Sequence, residues 1–149
     1  MIYLNNKFSM LTELSISNCN VFWNSASWES FIVVLGNSKL TISNCDFIAN
    51  FALYISAIIF AGQTGTFTNI TNCRFDSNYA VTGGIFYATS KSKIQCTFCN
   101  FTNNFAMIGG VGLAESDGIF HFENCFISNN LALAAPVLIL QDNNDASVL

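Results

Sequence analysis

The sequence predicts an all-β fold, a right-handed parallel β-helix of about five coils that each contain about 26 residues and three short strands. Three observations predict it: one pattern recurs five times, apolar and polar residues alternate within each repeat, and turn-forming residues separate the repeats. A repeat of this length cannot bury its apolar side chains alone, but stacked coils share one continuous core. Equivalent residues of successive repeats then lie about 4.8 Å apart along the axis, so that columns of such residues define the structure.

Cysteine and asparagine mark the repeat. The cysteines are separated by 26, 28, 26 and 26 residues: Cys19, Cys45, Cys73, Cys99 and Cys125. Five residues after each cysteine comes an asparagine: Asn24, Asn50, Asn78, Asn104 and Asn130. An inward asparagine at a corner can hydrogen-bond to its equivalent on the next coil, so this column predicts an asparagine ladder. Another asparagine precedes the cysteine in four of the five repeats, and Phe98 replaces it in the remaining one.

Each repeat divides into three strands. The first places a polar residue between two apolar ones, as in Leu14, Ser15 and Ile16, which is typical of a strand with one buried face. The second is a short segment beginning at each cysteine, with a large apolar residue two positions later. The third is apolar throughout and spans residues 31–34, 58–61, 85–88, 111–114 and 137–140.

A bend of small residues precedes the third strand. Its glycine pairs, at 83–84 and 109–110, fit a corner where a Cβ atom would clash or where φ must be positive. Two other repeat folds fit the sequence less well. Propeller blades have periods of about 40–50 residues, and leucine-rich repeats require a leucine spacing that is not met here.

The composition restricts the classes of function. Charged residues make up 9% of the chain, the formal net charge is −4, and five basic residues supply no positive patch for nucleic acid. The longest apolar runs, 51–61 and 131–140, are about half the ~20 residues of a membrane-spanning helix, so no transmembrane span is expected. We expect no nucleic-acid partner.

The two ends of the chain suggest a larger context. Residues 1–10 lack the basic and apolar regions of a secretory signal, and neither end has a polar or helical cap. Solenoids need caps because an open end exposes the core and unpaired strand edges. We therefore expect residues 1–149 to form a single β-helix domain that is a segment of a longer solenoid. An extracellular or cell-surface location is expected if that longer protein is secreted.

Two repeats carry a pair of motifs. Residues 72–87 and 99–111 each combine F-x-x-N with G-G-[ILV]. This pair resembles the repeats of chlamydial polymorphic outer-membrane proteins and of very large surface proteins of protists, within the wider pectin-lyase-like β-helix group. The resemblance covers nearly the whole chain, although only these two repeats carry both motifs intact. It implies adhesion or surface scaffolding outside the cell, and it specifies a fold far more strongly than an activity.

The third strand suggests an interface. Its outward column is predicted to be apolar and to consist of Ile32, Ile59, Phe86, Gly112 and Leu138. A contiguous exposed apolar patch usually marks an interaction surface. We therefore expect a protein partner or self-association through this face, or through the uncapped ends.

Few polar residues form a recognisable constellation. Asp46 and Arg74 are predicted to be neighbours on adjacent coils, where they could contact a ligand or form a surface ion pair. One carboxylate is too few for a glycosidase pair or a calcium site. Cys96 and Cys99 imitate a redox or zinc half-site, but no second pair accompanies them, and core packing accounts for both. No catalytic residue, metal ligand or cofactor is therefore predicted.

Two sequons provide candidate glycosylation sites at Asn69 and Asn100, both predicted to point outward. The cysteine column consists most simply of buried free thiols, and its redox state stays open. Taken together, the residues predict a non-enzymatic structural or adhesion scaffold that presents flat β-sheet faces to protein partners or to itself. The alternative is a carbohydrate-binding or polysaccharide-cleaving β-helix whose catalytic coils are missing or degenerate, with glycans as its partners.

Overall fold

The chain winds into a parallel β-solenoid with four sheets, which the computed structural model describes for residues 2–6, 12–27, 30–140 and 145–148. Sheet I contains β1 (Ile2–Asn6), β5 (Ile32–Gly36), β9 (Ile59–Gly62), β13 (Phe86–Ala88), β17 (Gly112–Ala114) and β21 (Leu138–Leu140). Sheet II contains β2 (Thr12–Ser17), β6 (Ser38–Ser43), β10 (Phe67–Thr71), β14 (Lys93–Thr97), β18 (Ile119–Glu123) and β22 (Asp145–Val148). Sheet III contains β3 (Asn20–Phe22), β7 (Asp46–Ile48), β11 (Arg74–Asp76), β15 (Asn100–Thr102) and β19 (Phe126–Ser128). Sheet IV contains β4 (Ser25–Ala26), β8 (Phe51–Ala52), β12 (Tyr79–Thr82), β16 (Phe105–Ile108) and β20 (Leu131–Ala134).

The predicted β-helix and its column register are confirmed. All strand pairs are parallel, and each strand pairs with its equivalent on the neighbouring coil, as Phe75 does with Phe47 on one side and Phe101 on the other. The three predicted strands correspond to sheets II, III and I in chain order. Sheet I also contains β1, at the start of the chain, in which Ile2 pairs with Ile32.

The prediction of three strands in each coil needs a correction, because a fourth strand follows the ladder asparagine. This segment contains a repeated inward alanine flanked by large outward residues, as in Phe105, Ala106 and Met107. The usual strand pattern has large apolar residues inside and polar residues outside. Here small residues are inside and large apolar residues are outside, so the usual strand pattern does not predict a strand in this segment.

Two corners of each coil use left-handed backbone. The residue before each column cysteine has φ between 52° and 55°: Asn18, Asn44, Asn72, Phe98 and Asn124. The residue before each ladder asparagine has φ between 54° and 56°: Trp23, Ala49, Ser77, Asn103 and Asn129. Left-handed backbone is costly for most L-residues and is tolerated best by Gly and Asn, which explains why asparagine precedes the cysteine in four coils.

The predicted asparagine ladder is present. Asn24, Asn50, Asn78 and Asn104 each donate from Nδ2 to the Oδ1 of the next ladder residue, over 2.9–3.0 Å. The backbone N–H of each donor residue also donates to that same oxygen. The other Nδ2 hydrogen of Asn78 is accepted by the carbonyl oxygen of Phe47, at 2.9 Å. The buried amides are thus satisfied along the column, and each joins three coils.

Aromatic rings fill the core beside the ladder. Phe47, Phe75 and Phe101 are fully buried and stack face to face, with centroids 5.1 Å apart. Rings from sheets I and II, such as Phe86 and Phe122, meet this column edge-on. Offset and edge-to-face contacts of this kind add to the free energy gained from burial.

The predicted glycine bend lies between sheets IV and I. Gly83 and Gly109 have φ of 61° and 65°. A Cβ atom at Gly84 would lie 2.0 Å from the carbonyl oxygen of Gly110 on the next coil. The bend therefore requires glycine here both for backbone conformation and for the close approach of two coils.

One coil is longer than the others, and the extra residues lie at two places. Residues that pair in register between this coil and the next are separated along the chain by different intervals. The interval is 28 residues for Ala52 and Ala80, 27 for Ile59 and Phe86, and 26 for Thr68 and Ile94. One extra residue therefore lies in the bend before β9, and the other in the turn before β10.

Candidate interaction surface

The predicted interface column lies inside the solenoid. Ile32, Ile59 and Phe86 are fully buried in the core, Gly112 is buried, and Leu138 packs against the core from a partly buried position. Phe86 contacts the rings of Phe75 and Phe101, at 5.2 and 5.8 Å between centroids. The prediction of an exposed column was therefore wrong in its orientation. Sheet I is apolar on both faces, so period-two alternation contains no polar residue that would identify the outer face.

The true outward column of sheet I is apolar too, but its members cover one another: Val33, Phe60, Tyr87, Leu113 and Ile139. Val33 and Leu113 are buried, and Phe60 stacks on Tyr87 with centroids 5.4 Å apart. The Tyr87 hydroxyl donates to the Glu115 carboxylate on the next coil. Burial, together with this hydrogen bond and the charge of Glu115, raises the pKa of Tyr87. This face therefore offers little free apolar surface.

The largest group of exposed apolar side chains among the described residues lies on sheet IV, although others, such as Trp23 and Phe126, are exposed elsewhere. The outer side of sheet IV carries two adjacent columns, which we call the sheet IV face. The first column contains Phe51, Tyr79, Phe105 and Leu131, and the second contains Leu53, Val81, Met107 and Leu133. Leu131 and Leu133 are 60% and 77% exposed. Tyr54 and Ile108, at the edge, are also exposed. Sequence analysis missed this face, although the repeated alanine with large residues on both sides was the signal for it.

The aromatic rings of the sheet IV face stack on one another. Phe51 and Tyr79 have centroids 5.0 Å apart and planes within 7°, and Tyr79 and Phe105 have centroids 5.2 Å apart and planes within 9°. Each inner ring face is therefore covered by its neighbour, and the ring edges point outward. A sugar ring packs its C–H groups on a free aromatic face, whereas another apolar surface can pack on ring edges. The sheet IV face therefore presents ring edges and aliphatic side chains rather than free ring faces.

The described residues of the sheet IV face include no charged side chain. Charges lie on other sheets. On sheet II, Lys39 forms an ion pair of 3.5 Å with Glu13, and the ammonium of Lys93 lies 5.7 Å from the ring centroid of Phe67. A partner could therefore cover sheet IV without removing any of these charges from water.

Asp46 and Arg74 are neighbours in register on sheet III, as predicted. The ion pair predicted between them is instead formed within one strand, because Arg74 Nη2 lies 2.6 Å from Asp76 Oδ2. Residues two apart in a strand point to the same side, so Asp76 was an available partner that sequence analysis missed.

Asp76 joins two coils through one carboxylate. Its Oδ1 accepts hydrogen bonds from Thr102 Oγ1 at 2.9 Å and from Asn103 Nδ2 at 2.8 Å on the next coil. Burial raises the pKa of Asp76, but the hydrogen bonds from Asn103, Thr102 and Arg74 outweigh it, and the pKa lies below the ordinary value. The geometry is that of a structural anion held in its charged form.

The cysteine column is confirmed as a stack. The backbone N–H of Cys19 donates to Cys45 Sγ, and that of Cys45 donates to Cys73 Sγ, both over 3.4 Å. All six cysteines are free thiols, and Cys96 is fully buried in the core. Hydrogen bonding to Cys99 lowers the pKa of Cys125, which is partly exposed, to about 7.

Metal sites and ligand cavities are absent from the described residues. Residues 2–6, 12–27, 30–140 and 145–148 contain no group of three or more side chains that could ligate a metal ion, and no ligand-sized cavity. No helix within these ranges is long and apolar enough to cross a bilayer. Of the two sequons, Asn100 is exposed and Asn69 is partly buried, and both lie at outward strand positions. Their glycosylation stays a prediction.

Comparison with protein families gives a match over residues 2–135 to the family described as a right handed beta helix region. No curated protein and no solved structure gives a significant match. The narrower resemblance to chlamydial and protist repeats stays a prediction.

Proposed function

The chain belongs to the right-handed β-helix family, and on that premise we propose that it is a non-enzymatic scaffold module that presents the sheet IV face to a protein partner. The family in general is compatible with scaffolding or with carbohydrate chemistry. The observation that carries the proposal is the uncharged apolar face, five of whose members are between 37% and 77% exposed: Phe51, Leu53, Met107, Leu131 and Leu133.

The physical argument rests on the cost of leaving this face in water. Burying apolar surface gains about 25 cal/mol per Å², so complete burial of a side chain such as Leu133 gains about 1.5–3 kcal/mol. Contiguous apolar patches on soluble proteins usually mark an interaction site. An adhesion or scaffold role outside the cell follows if the module is part of a secreted protein, and Asn100 is then accessible for glycosylation.

The polar groups of sheet III support this proposal over polysaccharide cleavage. Asp76 is held as a charged acceptor by Arg74, Thr102 and Asn103, whereas a general acid needs a raised pKa. The second function predicted from the sequence, carbohydrate binding or cleavage, would therefore depend on other groups.

Site-specific photocrosslinking tests the proposal. A photoreactive amino acid replaces Met107 on the sheet IV face or, as the control, Gln95 on the outer side of sheet II. We expect protein adducts from position 107 in cells that express the full gene, with the crosslinked peptides identified by mass spectrometry, and few from position 95. Equal yields from both positions, or adducts with glycans alone, would contradict the proposal. Turnover of acidic polysaccharides that is lost in Arg74→Ala would contradict the non-enzymatic part.

A further inference from the structure

We propose that the occupant of the sheet IV face is a second copy of this chain, packed face to face about a two-fold axis parallel to the solenoid axis. The inference rests on the proposed function and names its partner. Three properties of the face support it: its area, its repeat and its lack of charge.

The exposed area is close to what a stable dimer needs. Seven large side chains on the face and at its edge are at least 37% exposed: Phe51, Leu53, Tyr54, Met107, Ile108, Leu131 and Leu133. A large side chain that is half exposed presents on the order of 100 Å², so the set presents on the order of 700 Å². A stable protein–protein interface of standard size buries about 800 Å² on each partner.

The regular spacing of side chains on the sheet IV face is complementary to the same face of a second copy. Outward side chains recur at every rung, about 4.8 Å apart. A partner that fills the grooves between rungs must carry projecting side chains at the same spacing. A second copy has this spacing because its fold is identical. Two sheets packed in this way lie about 10 Å apart.

The two-fold axis brings unlike columns together. When the axis runs along the solenoid between the columns, the first column of one copy lies over the second column of the other. Phe105 then lies over Met107 of the second copy, and Leu131 over Leu133. Aromatic rings face longer, adaptable side chains, and a thioether packs favourably on a ring.

The charge distribution permits this contact. The formal net charge of −4 would repel a second copy, but the described residues of the sheet IV face carry none of that charge. The contact therefore buries no ionised group, which would otherwise cost several kcal/mol. Charges on the remaining faces of the two copies are largely screened at physiological salt over about 8 Å.

Charge complementation tests the proposal on the purified chain by analytical ultracentrifugation. The wild type is expected to be a dimer that persists in 1 M NaCl. Leu133→Lys and Leu131→Glu alone should each weaken dimerisation by at least about tenfold, because each buries an unpaired charge. An equimolar mixture should restore a heterodimer, because residue 131 of one copy faces residue 133 of the other. Gln95→Lys, on sheet II, should leave dimerisation unchanged, and circular dichroism checks that every variant is folded.

A monomeric wild type at 100 μM, or a dimer that 1 M NaCl dissociates, overturns the inference. A mixture that stays monomeric overturns the parallel two-fold arrangement and therefore the proposal as stated. If the chain is monomeric while position 107 still crosslinks to a different protein, the proposed function stands and self-association fails.

Discussion

The amide of Asn78 lies within hydrogen-bond distance of the amide of Asn104 on the next coil, with 3.0 Å between Nδ2 and Oδ1. The same Oδ1 of Asn104 accepts the backbone N–H of Asn78. One oxygen thus satisfies two buried donors. This relationship makes each rung of the ladder depend on the next.

A substitution in the middle of the asparagine ladder should therefore lower the free energy of unfolding more than one at its end. Asn78→Ala leaves the backbone N–H and the Nδ2 of Asn50 without their acceptor and opens a cavity. Because each unsatisfied buried group costs about 1–3 kcal/mol, we expect a loss of about 3–5 kcal/mol in the free energy of unfolding. Urea denaturation measures it. Asn24→Ala is the matched control, since Asn24 is partly exposed, and should cost about 1 kcal/mol. Equal losses at the two positions would show that the ladder does not act through burial.

Phe98 occupies the corner where four other coils have asparagine, with φ of 55° and 59% of its surface exposed. Phe98→Asn should stabilise the protein by about 0.5–1 kcal/mol, because asparagine tolerates left-handed backbone and little burial is lost. Phe126→Asn is the control, since Phe126 is also 59% exposed but lies within β19. It should have no stabilising effect. Thermal unfolding compares the two variants, and stabilisation by both would point to solubility rather than to backbone strain.

Adding a side chain to Gly84, in the bend before sheet I, should destabilise the fold. Gly84→Ala places a Cβ atom 2.0 Å from the carbonyl oxygen of Gly110, so two coils must separate. We expect a loss of at least about 3 kcal/mol or failure to fold. Gly62→Ala is the control, because its nearest neighbours are side-chain atoms of Leu35 and Phe60 that can move. Its cost should stay below about 1.5 kcal/mol in the same denaturation experiment. A mild Gly84→Ala would mean that the coils are less closely spaced than described.

Acid should remove the stabilisation of the fold that the charged Asp76 carboxylate provides. Its pKa in the folded protein lies below the ordinary value of 3.8, so the charged form stabilises the fold above that pH. The stabilisation is lost as the pH falls below about 4 and through the lower folded pKa. Asp76→Asn should therefore be less stable than the wild type at pH 7, and the difference should shrink below pH 4. Asp46→Asn, on the same sheet but outside this hydrogen-bonded group, serves as the control. A difference that does not change between pH 7 and pH 2 would rule out the charged hydrogen bonds as its cause.

The register that aligns equivalent residues in columns could be predicted from the sequence, whereas the side of each strand that faces solvent could not always be. The constant interval between cysteine and ladder asparagine, five residues in every coil, was enough to predict the register, because both residues sit at corners of fixed geometry. The face of sheet I could not be predicted in the same way. Ile32 and Val33 are both apolar and both buried, so no polar residue indicated which of them pointed outward.

The candidate site was missed for a related reason. Ala106 lies inside the solenoid while Phe105 and Met107 lie outside, which reverses the size order expected of a soluble strand. A face that is apolar on the outside cannot be distinguished from a buried one by hydropathy alone. The repeated alanine was visible in the sequence, and only the structure relates it to an inward column.

The unequal coil has a practical consequence for protein engineering. Its two additional residues lie in the bend before β9 and in the turn before β10, while the corner from Cys45 to Asn50 keeps its length. Such loops lie on the surface and accept insertions, since lengthening a loop costs little entropy. A peptide epitope inserted at residues 63–65 should therefore project from the solenoid without disturbing the columns. Epitopes placed in the equivalent turns of successive coils would be displayed in a row with a spacing of about 4.8 Å, which is set by the backbone.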